Sequence, residues 1–492
     1  MALHARLSAP RPDRTDWLWH HAKCTAISSA MMFSNDRRME AETYVSSGYG
    51  IRLALEAHKT GWACMDKMAR VWQPSRLKGI QVSPEFGTPF LAATQVFDLR
   101  PVPRKWLSLD RTDSSAERFV TPGMILVTCS GNVGRATLAY RSHENILISH
   151  DLLRVEPLQE KYWGWLYAYL RSPQARAMMS AAQYGHIIKH LEVSHLNALP
   201  VPMLRDDLLA EFNDEAQRIL DKRNQAHEMA AQAEACFEKA IGSITPAENP
   251  ETGFVVHTSS LFGQRRRLES AYHTTNAAAI LSRFTTLNFK VDPLSELWEC
   301  EWQVTRNKTI FDDHGVPYMS ADDLFSLNTP ISKRIAMEQI KEFNSYAGRA
   351  GWIVMACSGQ VYGLNGSVML LTKRHESFFL SQDLIRIIPR GDLIRSGYLF
   401  VVLSHPELGR PLVIRYAYGT SIPHLEPADV ATFPVVRLGN QLETEIADLA
   451  EQAIALRAEA DELENDLAAD AETLIDRFLA GDSRDFILTG PK

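Results

Sequence analysis

The 492-residue chain contains no Gly-Lys pair, so a G-x-x-x-x-G-K-[ST] phosphate loop is excluded. It has no Glu-x-Lys triplet, which removes the metal-binding lysine motif familiar from nucleases. No G-x-G glycine loop, Asn/Asp-Pro-Pro-aromatic methyltransferase motif or G-x-S-x-G nucleophile elbow is expected either. The six cysteines (Cys24, Cys64, Cys129, Cys236, Cys300, Cys357) form no C-x-x-C pair, which argues against a zinc ribbon and for a reduced, cytoplasmic protein. His186, His190 and His195 lie close together, but no cysteine or carboxylate pair completes a ligand set, so no metal is expected. No apolar run approaches a membrane span, and the opening MALHARLSAPRPDR has no apolar core behind its basic residues. The chain reads as non-catalytic, with no cofactor of its own.

Composition is that of a globular protein, 45% hydrophobic and 23% charged, and the length allows two or three domains with buried cores. The net charge of -7 conceals a division. Residues 206–242 carry nine acids against four bases, and residues 439–480 carry twelve against two. Elsewhere 46 Lys+Arg face 38 Asp+Glu. The acidic stretches are poor candidates for lying on phosphates, and the basic remainder is compatible with them.

Both acidic stretches carry a heptad seam. The first runs through Leu209, Phe212, Ala216, Ile219, Ala226, Ala230, Ala233, Phe237 and Ala240, with a polar break at Arg223. The second runs through Leu442, Ile446, Leu449, Ala453, Leu456, Ala460, Leu463 and Leu467. A narrow stripe cannot bury itself alone, so two long helices packed on each other are expected. Aspartate at Leu449 or Leu456 would then break the pair.

The offset of 233 between the seams is followed, at 228 to 234, by matches through the chain. RMEAETY (38–44) answers RLESAYH (267–273), both opening helical stretches. TPFLAATQVF (88–97) answers VPYMSADDLF (316–325), each read as a strand entering a turn. Gly123–Val133 aligns with Gly351–Val361, an apolar strand ending in Ser-Gly (Ser130-Gly131, Ser358-Gly359), and in this alignment Gly134 faces Tyr362. Ser149–Arg154 matches Ser381–Arg386, and helices over 165–172 and 398–404 are each followed by a proline. Tyr184-Gly185…His190-Leu191-Glu192 matches Tyr418-Gly419…His424-Leu425-Glu426 in six of nine residues, before proline-bounded strands at 199–202 and 433–436.

An α+β tandem duplication follows: an extension (1–35), a first module (36–205), a first long helix (206–242), a linker (243–265), a second module (266–438), a second long helix (439–480) and a tail (481–492). This motif order, occurring twice, resembles the specificity subunit of type I restriction-modification systems, over roughly residues 36–480. Close relatives of that family serve other methylation-linked phage-defence systems. The resemblance implies two target-recognition domains, each reading half of a split duplex DNA sequence. It also implies an antiparallel coiled coil that spaces them in a pseudo-twofold molecule. The implied partners are two copies of a DNA methyltransferase subunit carrying S-adenosylmethionine, with a restriction/translocase subunit where the system cleaves. A diverged methyltransferase or nuclease, and a protein-only scaffold, are the competing readings.

Residues identical in both copies cannot distinguish two half-sites. Ser130/Ser358, Asp151/Asp383, Tyr184/Tyr418 and His190/His424 are therefore read as fold elements or phosphate contacts. Polar positions that differ are the better base readers: Arg135 against Gly363 or its neighbours, His186 against Thr420, Ile187 against Ser421, Lys189 against Pro423. Asn132 and Gln360 carry amides suited to adenine, while their similarity favours a shared structural role. Arg104, Lys105, Lys333, Arg334, Lys373, Arg374 and the run Arg265-Arg266-Arg267 are candidate phosphate contacts.

Overall fold

A computed structural model of the chain describes residues 27, 29, 32, 40–76, 79–112, 115–185, 189–242, 244, 253, 255–262, 267–302, 310–329, 331, 333–336 and 347–487. Most of the extension and of the linker expected at 243–265 lies outside them. Two compact units emerge, Met1–Asp221 with Glu462–Lys492, and Lys222–Asp461.

In the first unit a four-stranded antiparallel sheet has the order Ala69–Trp72, Leu152–Pro157, Ile125–Thr128, Ala136–Leu138. The run Ile125–Thr128 is buried throughout, as a central strand requires. A second sheet orders Gln81–Val82, Lys105–Leu107, Thr88–Leu91 and Leu147–Ile148, its last pair parallel. A third pairs Trp62–Cys64 with Pro200–Pro202. Helix Ser47–Glu56 packs on helix Pro173–Ala182, where a Cβ on Gly48 would fall 1.9 Å from the Ala177 carbonyl oxygen. Gly48-Tyr49-Gly50, the only Gly-x-Gly triplet of the sequence, thus serves helix packing and forms no loop.

The second unit repeats these topologies. Trp298–Trp302, Leu384–Pro389, Ile353–Ala356 and Val368–Leu370 form the first sheet, in that order. Phe311–Met319 pairs with Arg334–Ile335 and, in parallel, with Phe379–Leu380. Lys290–Pro293 pairs with Pro434–Arg437. In both units the element after the strand is a one-turn helix, Ala93–Val96 or Ala321–Leu324, where the sequence suggests a simple turn. The cause is a side chain three residues on. Gln95 Oε1 accepts the Ala92 N–H at 3.1 Å, and Asp323 Oδ2 accepts the Ser320 N–H at 3.1 Å.

The long helices span Asp206–Ile241 and Asn440–Leu479. Within the second unit they run antiparallel. Lys222 pairs with Glu459 and Arg223 with Asp461 at one end, while Cys236 and Lys239 share a groove with Glu445 and Asp448 at the other. Within the first unit Glu215 lies beside Asp470, whose pKa is raised by burial, by Asp466 and by Glu215. Leu209, Phe212, Ile219, Phe237, Ile446 and Leu467 are buried. The seam is wider than the sequence suggests: Leu442, Leu449, Leu456 and Leu463 are half-buried, whereas Ala447, Ala450, Ile454 and Glu464 are buried. The reason is that each helix also packs on a globular part. Glu464 accepts Tyr167 Oη at 2.8 Å and lies 3.4 Å from Arg171 Nη2. The supposed break at Arg223 is fully buried against Asp461, whose other oxygen takes Arg374 at 2.7 Å.

Each module grips a long helix through a glycine. A Cβ on Gly164 would lie 2.2 Å from the Phe212 carbonyl oxygen, and one on Gly397 2.5 Å from that of Ala447. The Gly164 N–H donates to Asn213 Oδ1 (2.6 Å) and the Gly397 N–H to Glu451 Oε1 (3.0 Å). These N–H groups belong to the first turns of helices Trp163–Arg171 and Ser396–Ser404, where backbone donors lack intrahelical partners.

Ile446→Ala is expected to cost about 2–5 kcal/mol, the range for a buried aliphatic truncation, while Leu456→Ala costs clearly less. Urea unfolding of the two variants measures this, and equal losses would contradict the wider seam.

His143 and His375 each accept a backbone N–H at Nδ1, from Tyr140 and Thr372, and burial pushes both down to about 4. An unfolded histidine protonates near pH ~6.5. Stability from these two groups is therefore fully present above that pH and is lost as pH falls towards 4. The urea midpoint should drop between pH 7 and pH 5, and His143→Gln should reduce the drop. A midpoint flat over that window would contradict the assignment.

Candidate nucleic-acid interface

In both modules the buried central strand leads into a Ser-Gly turn that a second loop crosses. Ser130 Oγ lies 3.1 Å from His190 Nδ1, and Ser358 Oγ lies 3.1 Å from His424 Nδ1. Backbone bonds lock the crossing: Gly131 N–H to Lys189 O, Leu191 N–H to Cys129 O, and His190 paired both ways with Tyr184. The second module repeats them with Gly359 to Pro423, Leu425 to Cys357, and His424 paired with Tyr418. Tyr184 Oη donates to Glu192 at 2.7 Å and Tyr418 Oη to Glu426 at 2.7 Å. Gly131 (φ +74°) and Gly359 (φ +114°) turn the chain where a side chain would strain it.

A serine beside a histidine suggests a nucleophile, and the geometry argues otherwise. Ser358 donates its single proton to Asp383 Oδ1 at 3.2 Å, so His424 Nδ1–H must donate to Ser358 Oγ. The carboxylate, not the imidazole, holds the serine proton, the reverse of base activation. In the first module the thiol beside Ser130 is a poor nucleophile, because burial pushes Cys129 up to about 11. His195 is occupied locally, its Nδ1 accepting the Glu192 N–H at 3.1 Å. Among the described residues no group of three or more His, Cys, Asp or Glu could hold a metal ion.

Hydrogen bonds also correct the correspondence between the two turns. Gly134 N–H donates to Thr128 O, and the equivalent bond joins Gly366 N–H to Ala356 O. Thr128 N–H takes Arg135 O, and Ala356 N–H takes Ser367 O. Gly134 therefore matches Gly366, not Tyr362, and Arg135 matches Ser367, not Gly363. Both glycines have positive φ (+80° and +77°) and press on a helix, at Met179 or at Val413 and Ile414. From Cys129 to Arg135 the first turn has seven residues, and from Cys357 to Ser367 the second has eleven.

The crossings gather part of the sequence-derived set. In the first module Ser130 and Lys189 are half-buried at the crossing and Asn132 is exposed. His186 and Ile187 lie outside the described residues. In the second module Ser358 is half-buried, and Gln360, Thr420 and Ser421 are exposed, with Gln360 Nε2 donating to Ser421 O at 2.9 Å. Arg135 is half-buried, its guanidinium 4.2 Å from the Phe97 ring centroid. Arg104, Lys105, Lys333, Arg334 and Lys373 are exposed on loops and strand edges, Arg334 also donating to Gly315 O. Arg374 departs from the phosphate-contact reading, because it is tied to Asp461 and Asn328. Arg267 departs likewise, pairing with Asp429 at 3.2 Å and donating to Tyr416 O, and Arg265 and Arg266 lie outside the described residues. Sequence reasoning missed Asn365 and Arg410, which brace the longer turn. The available signal was Gly366-Ser367-Val368 standing beside Gly134-Arg135-Ala136.

No family model matches the chain, and no curated protein matches it. Similar solved structures include a type I restriction-modification S subunit from M. genitalium, with TM-score 0.29 and 15% identity over 88% of this chain and 98% of that one. The HsdS subunit from Thermoanaerobacter tengcongensis gives TM-score 0.23 and 13% identity over 86% and 96%. The type IIG restriction endonuclease BpuSI gives 0.27 and 11% over 39% and 30%.

Ser358→Ala removes a donor from Asp383 and an acceptor from His424, and should cost roughly 1–3 kcal/mol. Asn132→Ala, on an exposed turn, should stay within about 0.5 kcal/mol. Thermal unfolding separates the two, and a neutral Ser358→Ala would show that the crossing is not held by this bond.

Proposed function

We propose that this chain is the DNA-recognition subunit of a type I restriction-modification or related methylation-based defence complex. One observation carries the reading. The same Ser-His crossing occurs in both modules, with identical residues inside and different polar residues outside. Asn132 and Lys189 stand on one crossing; Gln360, Thr420 and Ser421 stand on the other. A duplicated frame with divergent exposed donors and acceptors suits two unlike half-sites, because base identity is read by side-chain hydrogen bonds to base edges. Exposed Arg104, Lys105, Lys333, Arg334 and Lys373 supply the salt-sensitive phosphate contacts.

The chain itself performs no chemistry. Two copies of a DNA methyltransferase, with S-adenosylmethionine, dock through the acidic long helices, joined by a restriction/translocase subunit where the system cleaves. No described helix is long and apolar enough to cross a membrane.

The first long helix has 36 residues, which at ~1.5 Å per residue is about 54 Å. At ~3.4 Å per base pair that is at most roughly 16 base pairs, whereas adjacent major grooves on one face are ~10 base pairs apart. Half-site centres are expected roughly 10–16 base pairs apart on these estimates. Inserting one heptad after Ala226 and another after Leu456 lengthens both helices near the Arg223–Arg457 contact. The preferred spacer should grow by ~3 base pairs with both half-sites unchanged. Selection of duplexes with varied spacers measures it; a variant that binds but keeps the original spacer shows that the helices are not the ruler.

A further inference from the structure

The second module differs from the first by the extra length of its turn, and that length is built as a rigid display. Arg410 Nη2 shares its two N–H groups among three carbonyl oxygens, of Val361 (3.0 Å), Gly363 (2.9 Å) and Asn365 (3.0 Å). Its Nη1 reaches Ser367 Oγ at 3.3 Å. Asn365, fully buried, donates through Nδ2 to Gly359 O and Pro423 O, both at 2.9 Å, sewing the turn to the crossing loop. Gly363 N–H closes on Gln360 O at 2.8 Å.

At the tip of this braced turn stands Tyr362, 70% exposed, and on the adjoining loop Ile422 is 58% exposed. The backbone is held from within, while the large side chain at its tip is left outside. That arrangement serves contact with a ligand, since a tyrosine on a fixed backbone has few rotatable bonds left to freeze on binding. The neighbouring surface offers Gln360, Thr420 and Ser421 for hydrogen bonds. Apolar and polar groups side by side match a major-groove base edge, where only thymine adds a methyl group to the donor and acceptor pattern.

We propose that Tyr362 is a specificity-determining residue of the second module alone, its ring packing on a thymine methyl in that module's half-site. The proposal rests on the DNA-recognition reading above. Arg410 and Asn365 are positioning residues, acting through the turn they brace.

The test is a map of methylated bases in the genome of the native host, made with the wild-type gene, without it, and with Tyr362→Ala or Tyr362→Phe at the native locus. With the wild type, a bipartite methylated motif should appear that is lost without the gene. Tyr362→Ala should relax one A·T position in one half, where discrimination falls by roughly ten- to a hundred-fold. Tyr362→Phe should keep it. Gln360→Ala should alter that same half, and Asn132→Ala the other. An unchanged Tyr362→Ala motif overturns this inference and leaves the recognition function standing. Relaxation at a G·C position, or in the half altered by Asn132→Ala, also overturns it. Loss of all methylation in Tyr362→Ala with an unchanged unfolding temperature would mark a general binding residue and overturn the specificity role. If no methylated motif depends on the gene, the recognition function fails and the inference with it.

Discussion

The arrangement of each module depends on two places where no side chain fits. At Gly164 and Gly397 the helix of the module meets a long helix backbone to backbone, closer than a Cβ allows. The N–H groups exposed by that approach would be costly if left unpaired, and Asn213 and Glu451 take them. Further along the same module helices, Trp165 donates to Pro202 O and Tyr169 to Pro200 O in the first module, and Tyr398 donates to Val436 O in the second. Each module is thereby fixed both to its long helix and to the strand that precedes that helix. The sheet lies on the same helices, and the crossing loops hang from the end of its central strand.

Buried charge supplies selectivity of a different kind. Buried Glu464 meets Tyr167 and Arg171, and half-buried Asp461 meets fully buried Arg223 and half-buried Arg374. Such groups add little net stability over an apolar replacement, because desolvation offsets their attraction. Removing one partner is severe, since the other charge stays buried and alone. A helix sliding by one residue would do the same to several of them at once. Register follows from that penalty, and the apolar stripe of alanines alone would tolerate several alternatives.

The long helices were legible because a three-four spacing of apolar residues is local information. Their second buried face was not, since Ala447, Ala450 and Ile454 lie off the three-four seam, Glu464 is charged, and all four are buried beside residues far away in sequence. Arg223 looked like an interruption for the same reason, its partner Asp461 being 238 residues distant. Repetition made Ser130, His190 and their counterparts stand out, yet it named no partner for any of them. The four extra residues of the second turn were hidden by a chance match, Val133 beside Val361, which set Gly134 against Tyr362, four residues before Gly366. Only the backbone bonds of Gly134 and Gly366 restored it.

Both turns leave and rejoin the sheet through the same pair of backbone bonds, Gly134 or Gly366 on one side and Arg135 or Ser367 on the other. Lengthening a flexible loop from seven to eleven residues costs only about 0.4 kcal/mol of closure entropy, and in the second module Asn365 and Arg410 hold the added residues in place. The frame therefore behaves as a socket that accepts cassettes of unequal length without moving a strand. If each module reads half of a DNA target, as proposed above, exchange of a short run of codons at this point, between copies or between genomes, is a physically inexpensive way to alter what one module reads while its twin stays as it was.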